Sequence, residues 1–145
     1  YHRAEDKTEA VRLGDFVATG DVGHVDEHGF LYISDRKTDM VISAGVNIYP
    51  AEIEHALIGF EHVHDCAVFG VPDPEFGERL VAVIERNGEV HEAELRAHLK
   101  SRLAGFKIPR DFIFTETLPR EDSGKIKKRL VRQEFLEGRL TRTGG

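Results

Sequence analysis

Apolar residues along the chain follow two spacings, one typical of β-strands and one typical of α-helices. Residues 22–33 carry two β-prone runs around an Asp-Glu-His-Gly loop, which predicts a β-hairpin with glycine in its turn. Further β-prone runs occupy residues 40–43, 63–71, 80–84 and 111–114. The last three of these runs predict a small three-stranded sheet.

Three other segments predict helices. Pro50, with Glu52 and Glu54 after it, makes a favourable helix start, because proline fits the first turn and carboxylates there complement the helix dipole. Residues 91–103 space their apolar side chains close to a helical period, and residues 126–136 predict a last amphipathic helix. Helices that flank a small three-stranded sheet, with a β-hairpin ahead of them, indicate an α+β fold.

A purely polar segment at residues 35–39 separates the hairpin from the rest of the chain. We expect a domain boundary or linker there. The last residues, 141–145, have the composition of a frayed end.

The composition limits the class of protein. The 145 residues are 40% hydrophobic and 32% charged, which suits one globular domain with an appendage. The single cysteine, Cys66, lies in an apolar run, where we expect a small buried side chain that forms no internal disulfide, as in a cytoplasmic protein. No apolar run approaches the ~20 residues that cross a bilayer, and the first residues lack signal-peptide character. We therefore expect no integral membrane segment and a chain that starts inside a longer protein.

The net charge of −6 argues against a nucleic-acid-binding module. Basic residues nevertheless gather towards the C-terminal end, where they suit an anionic small molecule, although a solvated helix face would give the same pattern. They are Arg120, Lys125, Lys127, Lys128, Arg129 and Arg132.

Single motifs indicate limited chemistry. Gly124 and Lys125, ahead of a helix, could bring backbone N–H groups and an ammonium together on a phosphate. The chain has no G-x-x-x-x-G-K-[ST] phosphate loop, so a nucleotide site would need residues from elsewhere. The eight histidines include no H-E-x-x-H motif, and one cysteine excludes a Cys-rich zinc site, so no metal site is predicted. A Ser/His/Asp triad is likewise unsupported, since the chain has no G-x-S-x-G motif.

Six short motifs follow one another along nearly the whole chain. They are Thr19-Gly20-Asp21, residues 29–37, residues 45–54, Val71-Pro72-Asp73-Pro74 with Gly77-Glu78, residues 106–110, and Leu118-Pro119-Arg120 with Ser123-Gly124-Lys125-Ile126 and Lys128-Arg129. Any one of them could arise by chance, but their order and spacing together are specific. In this order they resemble the acyl-CoA and aryl-CoA synthetases of the adenylate-forming, or AMP-binding, superfamily.

The resemblance implies an acid–thiol ligase that activates a carboxylic acid with ATP to an acyl-adenylate and then transfers the acyl group to CoA. A large N-terminal domain would hold the phosphate loop, the acyl pocket and the Mg²⁺ that accompanies ATP, and a small C-terminal lid would rotate between the two steps. Residues 1–36 would be the tail of that N-terminal domain, residues 37–39 the hinge, residues 40–138 the lid and residues 139–145 a frayed tail. The chain alone would be inactive.

The resemblance also implies which residues bind the nucleotide. Asp21 matches a carboxylate that accepts hydrogen bonds from both ribose hydroxyls, and Arg36 matches an arginine near the ribose and phosphate. Without the resemblance, Asp21 is a turn cap and Arg36 a surface cation. Lys125 matches the lysine that bridges carboxylate and α-phosphate oxygens during adenylation.

Other residues would serve CoA. Ala44, Gly45 and Val46 match the loop that lines the pantetheine tunnel, where glycine lets the backbone approach the ligand. Lys100 matches a position at which some relatives use lysine for the CoA nucleotide phosphates. An exposed helix lysine is the equal alternative.

The hinge would consist of Lys37, Thr38 and Asp39. Thr38 departs from the Asp or Lys usual at the pivot, so an ionic latch from that side chain would be absent. Two other interpretations stay open: the lid of an acyl-AMP ligase or peptide-synthetase adenylation domain that delivers to a carrier protein, and a stand-alone interaction domain. The motifs at residues 49–54 and 123–126 favour a CoA ligase, with a fatty acid as the expected substrate.

Overall fold

The computed structural model describes residues 39–140 with their side chains and, ahead of them, the backbone of short strands within residues 12–36. The chain divides into two units, residues 1–38 and residues 39–145. In the first unit β1 (Arg12–Leu13) pairs with β2 (Phe16–Val17), and the two strands are antiparallel.

The predicted N-terminal hairpin is confirmed. β3 (Asp21–Val25) pairs antiparallel with β4 (Leu31–Arg36), and the register shifts once, between Val22 and Gly23. A bulge at this point is compatible with the glycine, which weakens a regular strand and tolerates the changed backbone.

The second unit begins with a hairpin and a helix. β5 (Val41–Ser43) pairs antiparallel with β6 (Val46–Ile48), and α1 spans Pro50–Ile58. Pro50 stands in the first turn of α1 with Glu52 close behind, as the sequence predicts.

Three strands form the central sheet, in the order β7-β8-β9. β7 (Val63–Asp73) and β8 (Gly77–Arg86) are antiparallel, whereas β9 (Asp111–Thr115) is parallel to β8. The parallel pairing requires a crossover, which α2 (Glu92–Lys100) provides, and α3 (Lys128–Leu136) follows the sheet. No helix among the residues described is long and apolar enough to cross a membrane.

Both faces of the sheet are buried, which explains why its strands are nearly continuous apolar runs. Alternate residues of each strand point to opposite faces and so contribute to two separate core clusters. The first cluster contains side chains of β5, β6, α1 and α2: Val41, Ile48, Ile53, Leu57, Leu95 and Leu99. The second contains Val131 of α3, with Ile126, Phe135 and Leu140 packed against it.

Helix side chains cover the outer edge of β7. Glu54 of α1 accepts a hydrogen bond from the Val68 N–H at 2.9 Å and pairs with Lys128 of α3 at 2.6 Å. Arg132 of α3 donates its Nε–H to the Gly70 carbonyl at 2.8 Å. These contacts satisfy groups of the edge strand that could otherwise pair with another chain.

The cysteine is buried as predicted. Cys66 lies in the first core cluster, 4% exposed. Burial raises the pKa of its thiol, and the neighbouring carboxylates of Glu54 and Asp65 raise it further. Cys66 therefore acts as a small apolar side chain.

Candidate functional site

Lys125 lies in a small loop hairpin between β9 and α3. Arg120 and Ile126 form an antiparallel bridge at its base. Towards the tip, the Glu121 N–H donates to the Lys125 carbonyl and the Gly124 N–H donates to the Glu121 carbonyl, both at 2.8 Å. The Lys125 side chain is exposed and makes no hydrogen bond or ion pair within residues 39–140.

This geometry changes one part of the sequence interpretation. The sequence predicts that Gly124 and Lys125 lie at the mouth of a helix, with N–H groups available for an anion. Helix α3 begins only at Lys128, and the Gly124 N–H is used inside the loop. The loop therefore presents the ammonium of Lys125 without a contribution from the Gly124 N–H.

An ion pair between a buried carboxylate and a partly buried arginine holds the base of this hairpin. Glu85, 5% exposed, accepts from both terminal nitrogens of Arg120 at 2.9 and 3.0 Å and from the Leu118 N–H at 2.6 Å. Arg120 also donates to Asp65 at 3.1 Å. The hydrogen bonds from Arg120 hold the pKa of Glu85 below its usual range, since they favour the carboxylate.

This ion pair is not predicted from the sequence, because Arg120 falls in a basic segment and in a family motif, neither of which indicates a carboxylate partner. One signal was available: Glu85 follows directly on the apolar run of residues 80–84. A carboxylate at the end of a buried strand requires a charged or hydrogen-bonding partner.

The basic segment separates into two groups. Three of its side chains make internal contacts. Arg120 pairs with Glu85 and Asp65, Lys128 pairs with Glu54, and Arg132 donates to the Gly70 carbonyl. The other three are exposed and have no side-chain partner in the part of the chain described with side chains: Lys125, Lys127 and Arg129. Only this second group is available for an anionic ligand.

The predicted CoA loop is the turn between β5 and β6. Ala44 and Gly45 have φ of +50° and +77°, so both adopt the left-handed conformation of a tight two-residue hairpin turn. The Ala44 N–H donates to the Phe76 carbonyl at 2.9 Å, which attaches the turn to the β7–β8 connection. Val46 is 39% exposed, and a Cβ placed on Gly45 would meet nothing within 4 Å. The turn thus offers open backbone at its tip.

The Lys125 hairpin and the Gly45 turn are attached to opposite ends of the β7–β8 hairpin. Arg120 is bound at Asp65, near the start of β7, whereas Phe76 follows its end at Asp73. At about 3.3 Å per residue, Asp65 and Asp73 are about 26 Å apart.

The two loops also belong to opposite faces of the sheet. Val41 and Ile48 of the β5–β6 hairpin lie in the first core cluster, with α1 and α2. Leu118 and Ile126, which flank the Lys125 loop, belong to the second cluster, on the α3 side. The structure therefore separates these two candidate sites within one domain.

The predicted nucleotide-binding residues Asp21 and Arg36 are partners in the β3–β4 register, so their backbones lie directly opposite each other. Two of the predicted hinge residues, Lys37 and Thr38, lie outside the described residues, and Asp39 is exposed. The backbone thus brings the two nucleotide candidates together immediately before the proposed hinge.

Lys100 is the last residue of α2 and is exposed. A cation there complements the helix dipole, which explains its position structurally, independently of the predicted contact with CoA. Among the residues described, no group of three His, Cys, Asp or Glu side chains is arranged to hold a metal ion.

Comparison with known proteins gives consistent relatives. Residues 52–125 match the family model of the AMP-binding enzyme C-terminal domain. The chain is 42% identical, over 93% of its length, to the long-chain-fatty-acid–CoA ligase FadD13 of Mycobacterium tuberculosis, and 47% identical, over 92%, to the feruloyl-CoA synthase of an Amycolatopsis species. Among solved structures, the o-succinylbenzoate CoA synthetase of Bacillus subtilis in complex with AMP has a TM-score of 0.81 and 34% identity, over 100% of this chain and 28% of that one.

The chain spans only 27% of the length of these two curated relatives. Within that part, the fold agrees with the matched family and with the solved relative: a three-stranded sheet with three helices follows an N-terminal hairpin. The chain belongs to the AMP-binding enzyme C-terminal domain family, and its relatives are acyl-CoA and aryl-CoA ligases of the adenylate-forming superfamily.

Proposed function

We propose that this chain is the C-terminal part of an ATP-dependent acyl-CoA ligase and works with a large N-terminal domain of the same protein. The observation that carries the proposal is the placement of Lys125 and the Gly45 turn on opposite ends and faces of one small sheet. Such a body can offer two different groups to one reaction centre if it rotates between two steps.

In the first step a substrate carboxylate attacks the α-phosphorus of ATP. A new C–O–P linkage forms, the bond to pyrophosphate breaks, and negative charge builds on the phosphate oxygens. The exposed ammonium of Lys125 is suited to stabilise this charge. By analogy with oxyanion-hole donors, its removal should cost roughly 2.7–4 kcal/mol of transition-state stabilisation.

In the second step the CoA sulfur attacks the acyl carbonyl, and the bond to AMP breaks. Ala44, Gly45 and Val46 would line the passage of the pantetheine arm, for which the open backbone at Gly45 leaves room. Lys100 would meet the nucleotide phosphates of CoA as a mobile point charge.

The nucleotide would be held from the first unit. Asp21 suits the ribose hydroxyls as a double acceptor, and Arg36, opposite it in register, suits oxygens of the nucleotide. Mg²⁺ would arrive with ATP and be held mainly by the N-terminal domain, and the segment Lys37, Thr38 and Asp39 would be the hinge.

The Lys125 role is tested in the full-length protein that carries this chain. Lys125→Ala is expected to slow pyrophosphate release about 10²–10³-fold. Transfer from a preformed acyl-adenylate to CoA should keep the wild-type rate, since the ammonium acts only in adenylation. Lys127→Ala removes a second exposed lysine, two residues away, to which no role in either step is assigned, and should change neither rate. Equal losses in both steps would contradict the assignment.

The acceptor and the acid require a substrate panel. CoA is favoured over a carrier protein because the relatives compared are named CoA ligases or synthases. Their acids differ: long-chain fatty at 42% identity, ferulic at 47% and o-succinylbenzoic at 34%. We propose a fatty acid as the substrate and a cytoplasmic location.

The experiment measures pyrophosphate and thioester formation by the full-length protein with each acid, and with CoA or a carrier protein as the acceptor. The isolated chain is the inactive control. A protein that turns over no acid would instead favour a stand-alone interaction domain.

A further inference from the structure

We propose that Arg120 and Glu85 form a positioning pair that fixes the direction of Lys125 for adenylation. The inference rests on the proposed function above, and it concerns residues that do not themselves reach the reacting atoms. Arg120 and Glu85 would act only through the loop that they hold.

The Lys125 hairpin has few attachments to the body of the domain. Its base is closed by the Lys127 N–H, which donates to the Pro119 carbonyl at 2.9 Å, and every residue from 121 to 125 is exposed. Within residues 119–127, Arg120 has the only side-chain hydrogen bonds found in the described part of the chain. Ile126 adds apolar packing. The orientation of the exposed tip therefore depends on these two anchors.

Arg120 is well placed to set the direction of Lys125. It bridges to Ile126, the residue directly after Lys125, so a displaced Arg120 shifts the strand that carries the lysine. Its guanidinium meets both oxygens of Glu85, at 2.9 and 3.0 Å, in the two-pronged geometry that an arginine fork provides and an ammonium does not.

Glu85 is fixed independently of Arg120. It lies at the end of the buried part of β8 and accepts the Leu118 N–H at 2.6 Å, immediately before the hairpin. A buried carboxylate is costly unless it is paired, so the pair strongly restricts where Arg120 can lie. The pair therefore attaches an otherwise exposed loop to the sheet.

The test uses two conservative substitutions in the full-length protein. Arg120→Lys keeps the charge and loses the fork, and Glu85→Gln keeps an acceptor for Leu118 and loses the charge. Each should lower the rate of pyrophosphate release by about 10–100-fold, since a displacement of about 1 Å can cost that much. Acyl transfer from a preformed acyl-adenylate should stay within about twofold of wild type.

Arg96→Lys is the matched control. Arg96 is 30% exposed, like Arg120 at 28%, and it also joins a carboxylate, Glu92, and backbone carbonyls, those of Pro109 and Arg110. It should lower the melting temperature about as much as Arg120→Lys while pyrophosphate release stays near wild type.

A double-mutant cycle separates positioning from general loosening. In the Lys125→Ala background, Arg120→Lys should cause no further loss of adenylation, because the lysine through which it acts is absent. An undiminished second loss, equal losses in both half-reactions, or full adenylation by Arg120→Lys and Glu85→Gln would overturn the pair's role. A wild-type protein that releases no pyrophosphate with any acid would instead refute the proposed function itself.

Discussion

A glycine can be required because a Cβ would clash or because φ is positive, and Gly45 is a case of the second reason alone. A Cβ at this position would meet nothing within 4 Å, but φ is +77°, in the left-handed region that favours glycine. Gly45→Ala should therefore destabilise the protein through backbone strain alone, by about 1–3 kcal/mol. Urea unfolding of the 145-residue chain measures this change.

Gly105→Ala provides the comparison for Gly45→Ala. Gly105 also has open space where a Cβ would lie, but it belongs to a short 3₁₀ turn without positive φ. Its replacement should be nearly neutral or slightly stabilising, because alanine restricts the unfolded chain. A similar loss of stability for both variants would contradict the assignment of strain to the Gly45 turn.

Residue identity singled out exposed candidate residues but not the contacts that anchor them. Lys125 and Gly45 could be singled out because motifs are local in sequence. The pairing of Arg120 with Glu85 joins residues 35 positions apart, and no periodicity encodes it. Such contacts depend on strand register, which local patterns do not specify.

Elements were predictable where the local signal was strong. The N-terminal hairpin, the three sheet strands and the helix start at Pro50 all occur where the sequence indicates them. The end of β7 was predicted too early and the start of β8 too late: β7 continues through Pro72 to Asp73, and β8 already starts at Gly77. Residues 72–79 are mostly polar or turn-forming and lie outside the two β-prone runs, but cross-strand pairing extends the ladder to the tip of the hairpin.

The contact between the β5–β6 hairpin and the sheet depends on a glycine in β7. A Cβ on Gly70 would lie 2.8 Å from Cγ1 of Val41 and 3.0 Å from a carboxylate oxygen of Glu78. Valine is stiff at χ1 and cannot move aside easily. Gly70→Ala should therefore cost about 1–3 kcal/mol in urea unfolding.

A double-mutant cycle tests whether the clash with Val41 is the cause. Val41→Ala opens the space that the new methyl group needs, so the double variant should lose clearly less stability than the sum of the two single losses. Strictly additive losses would show that Gly70 matters for another reason, such as its carbonyl contact with Arg132.

At the scale of the whole molecule, the proposed rotation rests on distance. If Lys125 and the Gly45 turn, attached about 26 Å apart on one sheet, serve one reaction centre, the domain must turn between the steps. Thr38→Pro should restrict that turn, since proline fixes φ near about −65° and removes the N–H. In the full-length protein, the proline should favour one of the two conformations, so the half-reaction of that conformation should stay near the wild-type rate. The overall rate of acyl-CoA formation, which needs both conformations, should fall far more.

Thr38→Ser is the control: it adds no backbone restriction and should behave as wild type. Retention of the full overall rate by Thr38→Pro, or an equal loss of both half-reactions, would contradict a hinge at Thr38.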